Sequence, residues 1–128
     1  MAGTALAEGS FGSYISDAGN GFTSRTWVDK NADSVATTVT FRTCRDGVAN
    51  GTSDWADVFV KRYNWAFPAT NLGIKRLYCY NSAVGNWGDV SAADYAFTID
   101  YYGPASCSKS YGCANPYRFD VGDLTVSY

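Results

Sequence analysis

The sequence predicts an all-β protein, an antiparallel β-sandwich of six to eight strands with two disulfides. Apolar and polar residues alternate with a period of two through most of the chain after residue 21. Gly, Asn and Asp, which favour turns, separate the alternating segments. The chain has 128 residues and four cysteines, a length that fits one domain and a cysteine number that allows two bridges.

The first 21 residues have a different character from the rest. They are rich in Gly and poor in large apolar side chains, which predicts a flexible N-terminal arm over residues 1–21 and a sandwich domain over residues 22–128. We expect the arm to bind a partner by adding a strand to the edge of the partner's sheet. Phe11, Tyr14 and Ile15 are the side chains predicted to make that contact.

Six segments show the alternation typical of strands. They are Phe22–Asp29, Val35–Cys44, Asp57–Trp65, Lys75–Tyr80, Asp94–Tyr102 and Leu124–Tyr128, with a further short strand expected around Phe119 and Val121. The pattern places Val58 and Val60 on the face opposite to Phe59, Lys61, Tyr63 and Trp65. In the fifth segment it points Tyr101 inward and Tyr102 outward, since neighbours in a strand face opposite ways.

The cysteines indicate an oxidising compartment. An even number in a small chain poor in Lys and Glu is typical of disulfides. We predict Cys44–Cys79, because both lie in strand-like segments, and Cys107–Cys113, because these two flank one loop. The spacing of Cys107 and Cys113 does not suit a zinc site. We therefore expect a mature secreted protein, and no intact signal peptide is recognisable at Met1.

Charge and composition exclude several classes of function. The net charge of −2, without clustered cations, argues against nucleic-acid binding. No apolar run has the length of about 20 residues that spans a bilayer. Histidine is absent, so there is no Ser-His-Asp triad and no imidazole base.

Tryptophan and aspartate suggest two alternatives to protein binding. Exposed rings of Trp55, Trp65 and Trp87 would suit a carbohydrate-binding module. Glycoside hydrolysis needs two carboxyl groups, and Asp54 and Asp57 flank Trp55, while Asp89 and Asp94 lie near Trp87. Turn and helix-cap roles explain the aspartates better, so we expect no catalytic residue. A small Asp-dependent hydrolase is the second alternative.

One loop resembles the start of a calcium site. Asp29, Asn31 and Asp33 match the first three ligand positions of an EF-hand loop. Ser34 and Thr40 stand where that loop requires Gly and Glu, and a hairpin turn explains the same residues. We expect no cofactor, with calcium at this loop as the alternative. Separately, Asn50-Gly51-Thr52 forms a glycosylation acceptor pattern.

The number of tyrosines exceeds what a small core can bury. Tyr78 and Tyr80 are expected to share a strand face with Arg76. Tyr and Arg are favoured at recognition surfaces, so these three residues are predicted to contact a partner. The plain alternative is that solvated faces of antiparallel sheets use Tyr.

Four segments carry a resemblance that covers residues 22–128. They are Phe22–Asp29, Leu77–Tyr80, the turn Asn86–Asp89, and Leu124–Tyr128. The chain resembles small secreted β-proteins of actinobacteria, and is similar to the adaptor subunit of umbrella-shaped toxin particles. This resemblance implies a structural role in which the arm links the protein to larger subunits. We therefore predict a secreted, non-catalytic module that binds another protein or copies of itself.

Overall fold

The computed structural model describes residues 9–45, 54–64, 67–103 and 118–128, which contain eight strands. The strands are β1 (Ser10–Ala18), β2 (Trp27–Asp29), β3 (Thr38–Arg45), β4 (Trp55–Asn64), β5 (Phe67–Tyr78), β6 (Ser82–Asn86), β7 (Ala93–Gly103) and β8 (Phe119–Ser127). The predicted all-β class is confirmed, and no helix occurs in these ranges that is long and apolar enough to cross a membrane.

The strands form two antiparallel sheets of four. Sheet 1 has the order β1-β8-β3-β6, and sheet 2 has the order β2-β7-β4-β5. Side chains at alternate positions of both sheets meet in one core, as the period of two predicts. Val58 and Val60 are fully buried there, and the rings of Phe41 and Phe97 pack edge to face with centroids 5.4 Å apart. The predicted inward direction of Phe97 is confirmed.

The chain crosses from sheet 2 to sheet 1 directly after β5, and a disulfide joins the sheets at that point. Cys79 is bonded to Cys44 of β3, and both residues are fully buried. The Cys44 N–H donates to the Cys79 carbonyl over 2.8 Å, and the Cys79 N–H donates to the Asp54 carbonyl over 3.0 Å. This confirms the first predicted bridge, whereas Cys107 and Cys113 lie outside the described residues.

Residues 10–18 form an integral strand, so the predicted flexible arm is wrong over this range. β1 pairs with β8 at the edge of sheet 1, from Ser10 opposite Ser127 to Ala18 opposite Phe119. The Gly9 N–H donates to the Tyr128 carbonyl (2.7 Å), and the Tyr128 N–H donates back to the Gly9 carbonyl (2.9 Å). Gly and Ser weaken a strand taken alone, but a neighbouring strand in the right register outweighs that local preference.

The ladder between β4 and β7 contains an irregularity that the sequence pattern did not reveal. Asp57 pairs with Tyr101, but Val58 pairs with Ile99, so Asp100 is the extra residue of a β-bulge. The bulge reverses the faces beyond it. Tyr102 is therefore buried and stacks on Phe119, while Tyr101 faces outward beside Asp57, which corrects the predicted directions of both tyrosines.

Strand β6 and the full length of β5 also exceed what the alternation predicted. β6 pairs with β3, from Thr38 opposite Asn86 to Arg42 opposite Ser82. It contains Gly85, over which the Trp87 ring lies, so its pattern lacks a large inward side chain. The two segments expected near the end of the chain are one continuous strand, β8.

Replacing both Cys44 and Cys79 by Ala should destabilise the fold. The bridge closes a sequence separation of 35 residues, for which the chain-entropy model gives about 4 kcal/mol. Urea denaturation of the double variant should show a loss in the range of about 2–5 kcal/mol. Reduced wild-type protein provides the matched control, and equal stability of oxidised and reduced chains would contradict the role assigned to the bridge.

Two neighbouring residues of β1 test whether that strand belongs to the domain. Ile15 is 4% exposed and Tyr14 is 71% exposed. Ile15→Ala should cost about 2–5 kcal/mol of unfolding free energy, as buried aliphatic truncations do. Tyr14→Ala should change it by less than about 0.5 kcal/mol, as at other exposed positions. If thermal denaturation shows the two variants equally stable, residues 10–18 are not a structural strand.

Candidate functional site

The outer surface of sheet 2 carries aromatic and charged side chains next to one another. It arises because Ala56, Val58 and Val60 of β4 face the core, which turns the residues between them outward. Seven residues of β4, β5 and β7 form this surface, which we call the aromatic face. They are Trp55, Asp57, Phe59, Ile74, Arg76, Tyr78 and Tyr101.

Strand register arranges the aromatic face in three rows. Tyr78 lies opposite Trp55 in the first row, and Ile74 lies opposite Phe59 in the third. In the middle row Asp57 has Arg76 on one side and Tyr101 on the other. Directly opposed side chains have Cβ atoms about 4.5–5.5 Å apart, so each row is a set of contacting side chains.

Arg76 is held at the centre of this face by two neighbours. Its Nε and Nη2 donate to Oδ1 and Oδ2 of Asp57 over 2.7 Å and 2.9 Å, a bidentate geometry. Its guanidinium carbon lies 3.7 Å from the centroid of the Trp55 ring. The hydrogen bonds to the Asp57 carboxylate raise the pKa of Arg76 further above its already high value. The cation is thus permanently charged and fixed in orientation.

The position of the Trp55 ring depends on a glycine beneath it. Gly103 of β7 lies directly opposite Trp55, and a Cβ placed on it would come within 2.5 Å of the indole ring. The indole therefore lies across the backbone of the neighbouring strand. Aromatic rings often cover glycines in sheets in this way, which restores the packing that the glycine lacks.

Trp87 has the same relation to a glycine in the other sheet. A Cβ on Gly85 would come within 2.6 Å of its ring, and its Nε1–H donates to the Gly73 carbonyl over 2.9 Å. Trp55 and Trp87, predicted as sugar platforms, thus both serve packing within the fold. Arg76 also occupies space over the ring of Trp55. Trp65 lies outside the described residues, as does the glycosylation pattern at Asn50.

The structure places the first two candidate catalytic carboxylates, Asp54 and Asp57, on opposite faces of β4. Asp54 is 1% exposed and lies on the inward-facing side of the β4 alternation, whereas Asp57 points outward. Both oxygens of Asp57 accept hydrogen bonds from Arg76, so this carboxylate acts as a counter-ion. Asp89 and Asp94 are exposed. Asp54 and Asp57 therefore do not form the facing pair that a glycosidase requires.

The predicted calcium loop forms turns that use its own carboxylates. Oδ1 of the buried Asp29 accepts the Asn31 N–H at 2.7 Å, and Oδ1 of Asp33 accepts the Val35 N–H at 2.9 Å. Asn31 has a φ of 51°, which Asn adopts more readily than most residues. In the described ranges no three His, Cys, Asp or Glu side chains gather as a metal site would. The loop connects β2 of sheet 2 to β3 of sheet 1, so it is a crossover between the sheets and not the hairpin that the sequence suggested.

The residues predicted to bind a partner fall in three different places. Arg76 and Tyr78 share the aromatic face, as predicted, and Tyr78 is 63% exposed. Tyr80 lies beyond the end of β5, where its ring packs under the guanidinium of Arg45, 4.0 Å away. The expectation that Tyr80 shares the face with them is wrong, because the chain has already turned toward sheet 1 at Cys79.

The three side chains assigned to the arm also separate. Ile15 is part of the core of this domain, so it does not project from a flexible arm as predicted. Phe11 packs against Trp27, with ring centroids 6.0 Å apart, and Tyr14 remains exposed. Sequence reasoning missed Phe59, Ile74 and Tyr101 as members of the aromatic face. The outward positions of β4 were a usable signal for Phe59, whereas Tyr101 depends on the bulge.

The described fold defines the class as an all-β sandwich of two antiparallel sheets joined by one disulfide. Comparisons with family models, with curated proteins and with solved structures found no match to this chain.

The contact between Trp55 and Gly103 can be tested by adding one methyl group. Gly103→Ala should displace the indole and the guanidinium packed on it, at a cost of about 1–3 kcal/mol, as overpacking does. Urea denaturation followed by tryptophan fluorescence measures the loss of stability, and the fluorescence of the folded protein reports the displaced indole. Gly12→Ala is the matched control, since its Cβ would meet no atom nearer than 3.6 Å. Equal stability of the two variants would show that the Trp55 ring does not need the glycine.

Proposed function

We propose that this protein is a secreted, non-catalytic module that binds another protein through the aromatic face. The observation that carries the proposal is the rigid group of Arg76, Asp57 and Trp55, beside the largely exposed Tyr78. Arg, Trp and Tyr are the residues that most often dominate binding energy at protein interfaces. A side chain already fixed in orientation loses little conformational entropy when a partner covers it.

Exposed apolar surface on the same face supports this proposal. Ile74, at the edge strand β5, is about half exposed, and it lies two residues from Arg76 and four from Tyr78 along one strand. The arrangement resembles the centre of an interface, where apolar and aromatic groups surround a fixed charge. Because Asp57 neutralises Arg76, a partner can cover this pair without a matching charge of its own.

Secretion is part of the proposal and is supported by the disulfide. A fully buried bridge between the two sheets is typical of proteins that fold in an oxidising environment. The packing roles of Trp55 and Trp87, and the separated faces of Asp54 and Asp57, favour protein binding over the carbohydrate-binding and hydrolase alternatives. The similarity to adaptor subunits stays a prediction, and it too implies a protein that binds other proteins.

Quantitative affinity capture tests the proposal with paired variants. Protein immobilised on beads is exposed to the extracellular fluid of its source, and retained proteins are quantified by mass spectrometry. Tyr78→Ala combined with Ile74→Ser should reduce a specifically retained partner at least tenfold, since exposed anchors of this kind commonly contribute more than about 1.4 kcal/mol. Val84→Ser is the control, because Val84 is similarly exposed but lies on β6 of sheet 1.

Thermal denaturation of each variant checks that the fold is intact. If the double variant retains the same proteins in the same amounts as the wild type, the aromatic face is not the binding surface. A partner that is lost with Val84→Ser and kept with the double variant would move the binding surface to sheet 1. Turnover of polysaccharide or peptide substrates that Asp57→Asn abolishes, with the fold intact, would contradict the non-catalytic assignment.

A further inference from the structure

A small cleft opens at the side of the sandwich, between β1 of sheet 1 and the segment that leads into β2 of sheet 2. Phe11, Ile15, Phe97 and Leu124 line its apolar interior, while Phe22 and Arg25 stand at its opening. Its volume is about 70 Å³. We call it the β1 cleft. It lies away from the aromatic face, which is on the outer surface of sheet 2.

The size of the β1 cleft determines what it can hold. Sites for small-molecule ligands and cofactors usually occupy about 300–1,000 Å³. The volume of the β1 cleft, about 70 Å³, is well below that range. An apolar cleft of this size suits one small aliphatic side chain. A protein partner could insert such a side chain while the partner's main chain stays outside the cleft.

Within the described residues, strand β1 has no neighbouring strand on the side opposite β8, so its main-chain groups on that side are unpaired beside this cleft. In an antiparallel ladder, residues alternate between hydrogen-bonded and non-hydrogen-bonded pairs. Gly9 and Tyr128 exchange both hydrogen bonds, and the register stays constant up to Ser13 opposite Leu124. The amides and carbonyls of Ser10 and Gly12 therefore point away from β8, toward the open edge of sheet 1. This edge can accept a further strand.

Arg25 supplies a positive charge at the same place. Its guanidinium lies 4.4 Å from the centroid of the Phe11 ring, at the opening of the β1 cleft. Among the residues that the structure describes, the ion pairs of arginine involve Arg42, Arg76 and Arg118, and no carboxylate pairs with Arg25. A carboxylate brought to this position would complete the ion pair.

We propose that the β1 edge binds an extended segment of another protein by strand addition. The segment places an aliphatic side chain in the β1 cleft and, two residues further on, a carboxylate on Arg25. Residues two apart in a strand lie on the same face about 6.8 Å from each other, so one side chain can enter the cleft while the next on that face reaches Arg25. The partner strand hydrogen-bonds to the outward groups of Ser10 and Gly12. This acceptor role is independent of the proposed function of the aromatic face.

A capped peptide, acetyl-Thr-Val-Thr-Glu-Thr-amide, provides a defined probe. Titration into the ¹⁵N-labelled protein at low salt, followed by NMR, should shift the amide signals of residues 10–15 and 24–25. Replacing valine by serine in the peptide should weaken binding about tenfold, because the buried methyl groups are lost. Replacing glutamate by glutamine should weaken it about threefold to fivefold, as expected for a partly exposed ion pair.

Three protein variants test the same contacts from the other side. Arg25→Gln should abolish the preference for glutamate over glutamine, whereas the control Arg62→Gln should preserve it. Gly12→Pro removes an outward-facing amide while sparing the ladder to β8, as an edge strand tolerates. It should weaken binding up to about tenfold with little change in melting temperature. Ser13→Leu, at an exposed position lining the cleft, should block the peptide.

Each outcome decides the proposal. Peptide-induced shifts confined to β5 or β6 would overturn it, as would the absence of shifts at millimolar peptide. Equal binding of the glutamate and glutamine peptides by the wild type would overturn the role of Arg25. Loss of partner capture in the Tyr78→Ala and Ile74→Ser variant, with peptide binding intact, would show that the two surfaces act separately.

Discussion

The bond between Cys44 and Cys79 is the constraint on which the rest of the architecture depends. It lies where the chain leaves sheet 2 and enters sheet 1, so one residue fixes both the end of β5 and the distance between the sheets. The Cys79 N–H donates a hydrogen bond to the carbonyl of Asp54, the residue before β4. The Cys79 carbonyl accepts one from the N–H of Cys44 in β3. The disulfide therefore fixes the position of one sheet relative to the other. Between the sheets, the buried rings of Phe41 and Phe97 pack against each other.

The aromatic face follows from that fixed relation and from the placement of one glycine. Because β4 has its apolar residues locked toward the core, its remaining side chains form a continuous outer surface. Gly103 lets the Trp55 ring lie close to the sheet, and the ring in turn supports Arg76. A surface of this kind combines large contact area with few freely rotating groups, which are the properties that favour specific association.

The sequence predicted the features that depend on neighbouring residues and missed those that depend on distant ones. The alternation of Val58 and Val60 with polar residues identified β4, and two strand-like segments allowed Cys44 and Cys79 to be paired. β1 was missed because its stability comes from β8, more than a hundred residues away. Tyr101 was assigned to the wrong face for the same reason, since the bulge at Asp100 appears only when β7 is aligned with β4.

The pairing of Gly9 with Tyr128 has a mechanical consequence. Both residues lie at the same end of the β1–β8 ladder. Their mutual hydrogen bonds come directly before the first pair of the ladder, Ser10 and Ser127. Tension applied between these two points loads one pair at a time, because antiparallel hydrogen bonds run perpendicular to the strands and in line with that pull. Strand β1 would therefore separate from β8 one hydrogen-bonded pair after another, at low force. A force applied between Cys44 and Cys79 would instead be carried by the covalent disulfide bond, which does not separate in this way.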